Sequence, residues 1–339
     1  MIERFTFDNE QEWLAQRALD VTSTESAALF DLNPYLTRFE LYHRKANKVI
    51  TTLPLNNRMT WGLRLQDAVA LGIAEDQGVG VRRMDTYMRI SETRMGSSFD
   101  FEVVGLVEEW TGDDTPMRRM FREHGRGVFE IKCVDFIQFR NNWIVDDDEI
   151  DAPAHIEIQV QHQLHVADRL WAAIGVLVSG DTSRVVIRER DREVGAEIER
   201  RIRGLFDMVR AGSAPAPTFP EDAALVIDMN SFAEPGRVYD GRQDKELLKL
   251  CHKYSRRGKL ERRVRQERDI LKAQILARIG ESERALIPGF TVSAGMVAPS
   301  EFVVRREAYR NLRVTPERQA LADKTSRPDE RGAVPIEAA

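Results

Sequence analysis

The sequence of 339 residues predicts an α/β fold: a mixed central sheet flanked by helices, followed by a helical C-terminal extension. Three observations carry this expectation. Apolar residues recur at helical spacing in the N-terminal part, give way to short β-branched and aromatic runs, and return to helical spacing near Ala154. The run Ala211-Gly212-Ser213-Ala214-Pro215-Ala216-Pro217 interrupts the pattern as a linker does. Beyond it, residues 244–279 form one long stretch rich in Lys, Arg, Glu and Leu.

The first helix signal is Ser23-Thr24-Glu25-Ser26 running into Ala27, Ala28, Leu29 and Phe30, with Ser or Thr as N-cap. Asn33-Pro34-Tyr35 stops it, because proline ends helical continuation. Phe39 to Lys48 reads as a second helix, and Met59 to Ala74 as a third, with Trp61, Leu65, Val69 and Ile73 four apart. Arg89 to Ser91, Phe99 to Leu106 and Val128 to Val134 read as strands. Ala154 to Val166 is helical again, Ala172 to Val178 and Arg184 to Arg190 are strands, and Val194 to Ala211 closes the region as an amphipathic helix. In the extension, Leu260, Val264, Leu271, Ile275 and Ile279 supply apolar positions, and Gly280 caps the helix. Phe290 to Val292 and Phe302 to Val304 are expected to pair as a hairpin. The resulting division is a core over residues 1–210, a linker over 211–221, a basic helical extension over 222–316 and a disordered tail over 317–339.

Composition excludes several classes. At 42% apolar and 31% charged residues the chain is neither disordered nor membrane-embedded. Its longest apolar run, Trp171 to Val178, is too short to span a bilayer, and the acidic segment Met1 to Glu10 is no secretory signal. Cys133 and Cys251 cannot build a disulfide framework or a zinc site, so a reducing cytoplasm is the expected setting. The net charge of −5 hides an asymmetry: Arg242 to Arg278 holds 13 Lys/Arg against 5 Asp/Glu. Nine of these, from Lys245 to Arg265, suit a duplex backbone or a solvated helix packed by its apolar stripe.

The local chemistry concentrates in Gly127-Val128-Phe129-Glu130-Ile131-Lys132-Cys133. On a strand, Glu130 and Lys132 share one face while Phe129, Ile131 and Cys133 turn to the core. A carboxylate beside an ammonium suits metal-assisted phosphodiester hydrolysis, with the acid on a hard cation and the Lys steadying water or developing charge. An ordinary ion pair on a strand face is the alternative. Upstream, Met95-Gly96-Ser97-Ser98-Phe99-Asp100-Phe101 places an acid at the head of another strand. Asp100 followed by Glu130-x-Lys132 is the PD-(D/E)xK nuclease pattern, with Phe99 where that pattern has Pro and Phe101 where it has Gly.

Five ordered segments then resemble the viral recombinase family that includes phage lambda exonuclease and the YqaJ-like proteins. They are Arg17 with Val21 to Leu29 and Asn33-Pro34-Tyr35; Leu41-Tyr42 with Lys45; Met59-Thr60-Trp61-Gly62 ahead of Gln66; Ser98 to Asp100 with Glu130 to Cys133; and His155, Gln159 to Leu164 and Trp171. Together they cover about residues 11–210. The resemblance implies a restriction-endonuclease-like core in which Asp100, Glu130 and the Ile131 carbonyl hold Mg²⁺, with Mn²⁺ as a substitute. It further implies that Lys132 assists the nucleophile, that Gln159 completes the rim, and that Arg17 and Thr24 grip a terminal 5′-phosphate. Gln66 stands where the family has Glu, a neutral oxygen in place of a charged one.

The implied activity is 5′-to-3′ digestion of double-stranded DNA ends. It leaves a 3′ strand for a single-strand annealing partner, and the implied assembly is a ring-shaped homotrimer. The alternatives are a non-catalytic DNA-binding or assembly protein on a fold decayed at Gln66, or an endonuclease or single-strand exonuclease on the same core. His155, His162 and His165 lack zinc-site spacing, and Asp146 to Glu149 with Asp151 reads as a solvated loop.

Overall fold

The structure is a computed structural model that describes residues 1–47, 56–146, 149–300 and 310–314. It divides into two compact units, Met1–Val226 and Ile227–Ala339.

The first unit opens with β1 (Ile2–Phe5), α1 (Glu10–Leu19) and β2 (Val21–Thr22). The Asn9 side chain caps α1 by accepting from the Glu12 N–H at 3.0 Å. A 3₁₀ helix, Ser26–Phe30, follows, then α2 (Arg38–Ala46) and α3 (Asn57–Gln77). Helix α3 starts at an Asn56 cap and stops at Gly78, whose φ of 63° is the left-handed conformation that glycine adopts freely. A Cβ at Gly78 would also meet the Trp110 ring at 2.4 Å, so the turn into the next strand depends on this residue. Next come β3 (Val79–Arg83), β4 (Tyr87–Ile90), β5 (Met95–Ser97), β6 (Phe101–Leu106), α4 (Pro116–His124) and β7 (Gly127–Val134). After α5 (Phe136–Asn142), the short β8 (Ile144–Asp146) and β9 (Glu149–Asp151) lead to α6 (Ala154–Ala167), β10 (Trp171–Val178), β11 (Thr182–Glu189), α7 (Arg192–Ala211) and α8 (Asp222–Met229).

Among the described residues, β11-β10-β7-β6-β3 form a five-stranded sheet and β1-β4-β5-β2 a four-stranded one. The β10–β7 pair is parallel, whereas β10–β11, β6–β7 and β3–β6 are antiparallel, which makes the larger sheet mixed. One face packs Val128 and Ile174 against Val160 and Leu164 of α6 and Ile198 and Ile202 of α7. The other packs Phe129, Ile131 and Val103 against Val69 and Ile73 of α3 and Met117 of α4. Central strands covered on both sides contribute about 1.5–3 kcal/mol for each large apolar side chain buried.

The α/β class and helix-flanked mixed sheet are as the sequence predicts, with differences in detail. The expected single central sheet is split, because β4 and β5 pair with the N-terminal β1 and β2 instead of joining β6. The expected helix at Ser23 begins only at Ser26 and is 3₁₀; its cap is Glu25, with no side-chain cap bond. Thr24 therefore caps no α-helix. The Glu25 carboxylate is instead drawn back to the Thr22 N–H and hydroxyl, at 2.9 and 3.0 Å. The expected linker lies within the first unit, where Asp222 accepts from Thr218 N–H, Phe219 N–H and the Thr37 hydroxyl at 2.7, 2.9 and 2.5 Å.

In the second unit, α9 (Lys245–Ile279) is capped by Asp244 and ended by Gly280, and none of its residues is buried. The apolar stripe read in its sequence is therefore solvent-facing: Leu260, Val264, Leu271 and Ile275 are all exposed. Here β12 (Arg284–Ile287) pairs with β13 (Phe290–Ser293), so Phe290 to Val292 pairs with the preceding segment. Phe302 to Val304, the tail from residue 317, Lys48, Asp147 and Asp148 lie outside the described residues. No described helix is long and apolar enough to cross a membrane.

Candidate active site

Glu130 and Lys132 lie two residues apart on β7 and share the face that looks onto α6. That face is covered, and Glu130 is only 4% exposed. A carboxylate taken out of water needs donors, and Glu130 has three. Lys132 Nζ and Gln159 Nε2 each reach Oε1 at 2.6 Å, and Gln163 Nε2 reaches Oε2 at 2.7 Å. Gln159 and Gln163 stand four apart on α6, so one helical turn presents both amides to the same carboxylate. Lys132 also donates to Gln159 Oε1 at 3.2 Å.

Asp100 immediately precedes β6. The β6–β7 register sets Phe101 opposite Phe129, so one step further Asp100 stands opposite Glu130. The ladder stops there, and the Ile131 N–H, left without a strand partner on that side, donates to Asp100 Oδ2 at 2.9 Å. N–H and C=O of one strand residue point to the same side, so the Ile131 carbonyl faces the same gap. Burial, and next the charge of Glu130, push the Asp100 carboxyl up to about 7, against the pull of Lys132, the Ile131 N–H and a hydrogen bond from Gln66. Burial acts to lower the Lys132 ammonium, but Glu130 and Asp100 outweigh it and hold it above its ordinary value. Gln66 thus faces Asp100, whereas its neighbour Asp67 turns away to pair with Arg83 at 2.5 Å.

Two like-charged carboxylates facing each other across a strand pair repel. Among the described residues no group of three or more His, Cys, Asp and Glu is placed for a metal. The oxygen-only donors are the Asp100 and Glu130 carboxylates, the Ile131 carbonyl and the Gln66 amide. This set fits a hard divalent cation such as Mg²⁺, which retains several waters and needs few protein ligands.

Arg17 is linked to the segment before Asp100 through two side chains, Trp13 and Ser98. Its guanidinium lies over the Trp13 ring, 4.3 Å from the centroid, and Trp13 Nε1 donates to Ser98 Oγ at 2.9 Å, two residues before Asp100. Burial lowers Arg17, with Glu25 acting in the opposite direction. No carboxylate lies within ion-pair distance of its guanidinium among the described residues. Beneath it, the buried Lys45 donates to the Arg17 carbonyl at 3.2 Å and to Glu25 at 2.9 Å. Thr24 is exposed, and its hydroxyl sits 3.2 Å from that of Thr22.

Sequence reasoning assigned no role to Gln163, Ser98 or Trp13. Only the i, i+4 spacing of Gln159 and Gln163 was a usable signal. The histidines take ordinary structural roles. His162 is buried, binds the Gly96 carbonyl at 2.9 Å and is lowered by burial to about 3. His165 faces Glu199 at 3.1 Å, and His155 packs edge-on to Tyr35 at 6.2 Å.

An acid at the head of one strand, with an acid and a lysine on its antiparallel neighbour, is the PD-(D/E)xK pattern of the sequence brought together in space. Residues 12–170 match the model of the YqaJ-like viral recombinase domain. The Bacillus subtilis (strain 168) protein YqaJ is 25% identical over 211 residues, covering 61% of this chain and 59% of that protein. The chain thus spans about three fifths of the length of this curated relative. Among solved structures, the alkaline exonuclease LHK-Exo from Laribacter hongkongensis aligns at 19% identity over 64% of this chain and 99% of its own, with a TM-score of 0.42. The same enzyme in complex with dAMP aligns at 19% identity over the same shares, 64% and 99%, with a TM-score of 0.39.

Proposed function

We propose that this protein is a Mg²⁺-dependent deoxyribonuclease that digests double-stranded DNA from its 5′ end and leaves a 3′ single strand for recombination. The observation that carries the reading is the placement of Asp100 opposite Glu130, with Lys132 on the same face. The match of residues 12–170 to the YqaJ-like viral recombinase domain supports it. In this reading Asp100, Glu130, the Ile131 carbonyl and Gln66 hold the cation. The bound cation would supply Lewis-acid polarisation of the phosphoryl oxygen and a water of lowered pKa. Lys132, held cationic, donates to the attacking water or to the oxygen that gains charge, and Gln159 orients Lys132. Gln163 fixes the Glu130 carboxylate from the far side.

Arg17, stacked and without a carboxylate partner, is the group we assign to the terminal 5′-phosphate, with Thr24 as a second donor. A homotrimeric ring and a single-strand annealing partner complete the proposal. Decay to a non-catalytic binding protein is disfavoured by the three donors that hold Glu130.

The test is digestion of linear duplex, labelled at either end of one strand, beside a covalently closed circle, with and without Mg²⁺. The 5′-ended strand should shorten only with metal while the circle persists. Cutting of the circle, or removal of the 3′-ended strand first, would refute the polarity and end requirement.

A further inference from the structure

Glu102 lies on β6, two residues beyond Asp100, and is only 2% exposed. Three guanidiniums surround it. Arg82 of β3 reaches Oε2 at 3.0 Å, Arg126 stands 3.6 Å from the same oxygen, and Arg169 Nε reaches Oε1 at 3.1 Å. Among the described residues none of the three has another carboxylate in ion-pair reach. One carboxylate neutralises one charge, so the cluster carries a surplus of two positive charges. That surplus is solvent-facing, for the Arg82 and Arg126 side chains are 62% and 52% exposed.

A buried glutamate is satisfied by fewer guanidiniums than this. The third cation adds repulsion without filling a remaining need of Glu102. Each Arg keeps N–H groups in the planar fork geometry that matches a phosphate. The anchor is rigid: Arg82 and Glu102 are register partners across β3–β6, Arg126 is adjacent to the first residue of β7, and Arg169 follows the end of α6. Glu102 lies two residues on from Asp100, about 7 Å along the strand direction.

We propose that Arg82, Arg126 and Arg169, held by Glu102, form a phosphate-binding site for a backbone phosphodiester of the DNA strand, beside the cleavage centre. This site rests on the nuclease reading and deepens it. Glu102 is a positioning residue that aims the forks. The bound linkage is an internal one, distinct from the terminal phosphate assigned to Arg17.

The experiment uses the full chain with Ca²⁺ in place of Mg²⁺ and a fluorescein-labelled duplex with a short single-stranded end. Binding is followed by anisotropy across a NaCl series. In a set of otherwise identical strands, one linkage at a time carries a neutral methylphosphonate. Wild type should lose about tenfold in affinity at one or two adjacent linkages near the end, the size of one charge-assisted contact. Arg82→Gln with Arg126→Gln should weaken binding to the unmodified strand, lower the salt slope by one to two, and abolish the position-specific loss. A purely structural cluster would lower the melting temperature yet leave the slope and the methylphosphonate profile as in wild type, and this would overturn the proposal. A change in oligomeric state by light scattering, with an unaltered profile, would also overturn it and make the cluster an interface between copies. If wild type neither binds DNA nor digests it with Mg²⁺, the nuclease reading itself fails; digestion with a flat methylphosphonate profile sinks this site alone.

Discussion

The substitution Asp100→Asn should stabilise the metal-free protein at alkaline pH, although it removes a group assigned to cation binding. In the folded chain the Asp100 carboxyl titrates at about 7 instead of its ordinary 3.8, first through burial and next through the charge of Glu130. The folded form therefore holds this proton up to neutral pH, whereas the unfolded chain releases it near pH 4. Between those values folding takes up a proton, so stability falls as pH rises through that window. Above pH 7 the full penalty is present, and a shift of this size corresponds to at most about 4 kcal/mol. Asparagine never ionises, and its side-chain oxygen still accepts from the Ile131 N–H that Asp100 Oδ2 binds at 2.9 Å.

Urea unfolding of both proteins in EDTA, at pH 4.5, 6 and 8.5, reads the effect directly. The advantage of the variant should be about 1 kcal/mol at pH 4.5 and approach about 4 kcal/mol at pH 8.5. Adding Mg²⁺ at ten times its dissociation constant should stabilise wild type by about 1.4 kcal/mol and the variant by much less. A difference between the proteins that is independent of pH would refute the assignment of buried negative charge to Asp100.

Three further outcomes are expected. Glu130→Gln and Lys132→Met should each lower nuclease activity by several orders of magnitude while the circular dichroism spectrum stays native; digestion within tenfold of wild type by either would remove that residue from the site. Gln66→Glu should retain activity and lower the Mg²⁺ concentration giving half-maximal rate, since an added negative ligand tightens a hard-cation site; an unchanged titration would place Gln66 outside the coordination sphere. Wild type should prefer 5′-phosphorylated over 5′-hydroxyl ends, and Arg17→Ala should lose most of that preference, about thirtyfold for one charge-assisted contact; equal end preference in the two proteins would return Arg17 to a structural role.

What the sequence makes legible follows from local periodicity. Glu130 and Lys132 are readable because strand alternation alone sets them on one face, and Asp100 because a small-residue turn precedes it. Their mutual placement depends on β6–β7 register, which no local pattern encodes. The same holds for Gln163 and for the Glu102 cluster, whose members come from β3, β6, the approach to β7 and the end of α6. The segment at Ser23 shows the opposite failure. Its composition is that of a capped α-helix, yet Thr22 and Lys45 both claim the Glu25 carboxylate. A tertiary ion pair beneath Arg17 thereby leaves a short 3₁₀ turn where propensity favours a helix. Phe290 to Val292 is legible as a strand, but its pairing with Arg284–Ile287 is not, because apolar runs on either side fit equally well.

The residue at position 66 ties the stability of the empty site to its proposed chemistry. With a glutamate there, three carboxylates would converge on one gap, and without a cation each would add repulsion to an already strained pair. Glutamine reverses the interaction: its amide donates to Asp100 and lowers the carboxyl that burial and Glu130 raise. The neutral side chain thus steadies the empty site, while its oxygen stays available to a cation once the amide rotates. Weaker cation binding is the corresponding cost, and it falls on the ligand facing Asp100, not on Glu130. Glu130 is already held by Lys132, Gln159 and Gln163 in the empty site. Gln163 keeps one buried oxygen without a partner among the described residues, so its orientation is set by donation to Glu130. The site therefore combines one carboxylate fixed by its neighbours with one left to titrate, and in the proposed chemistry position 66 would set how readily the second exchanges its proton for a metal ion.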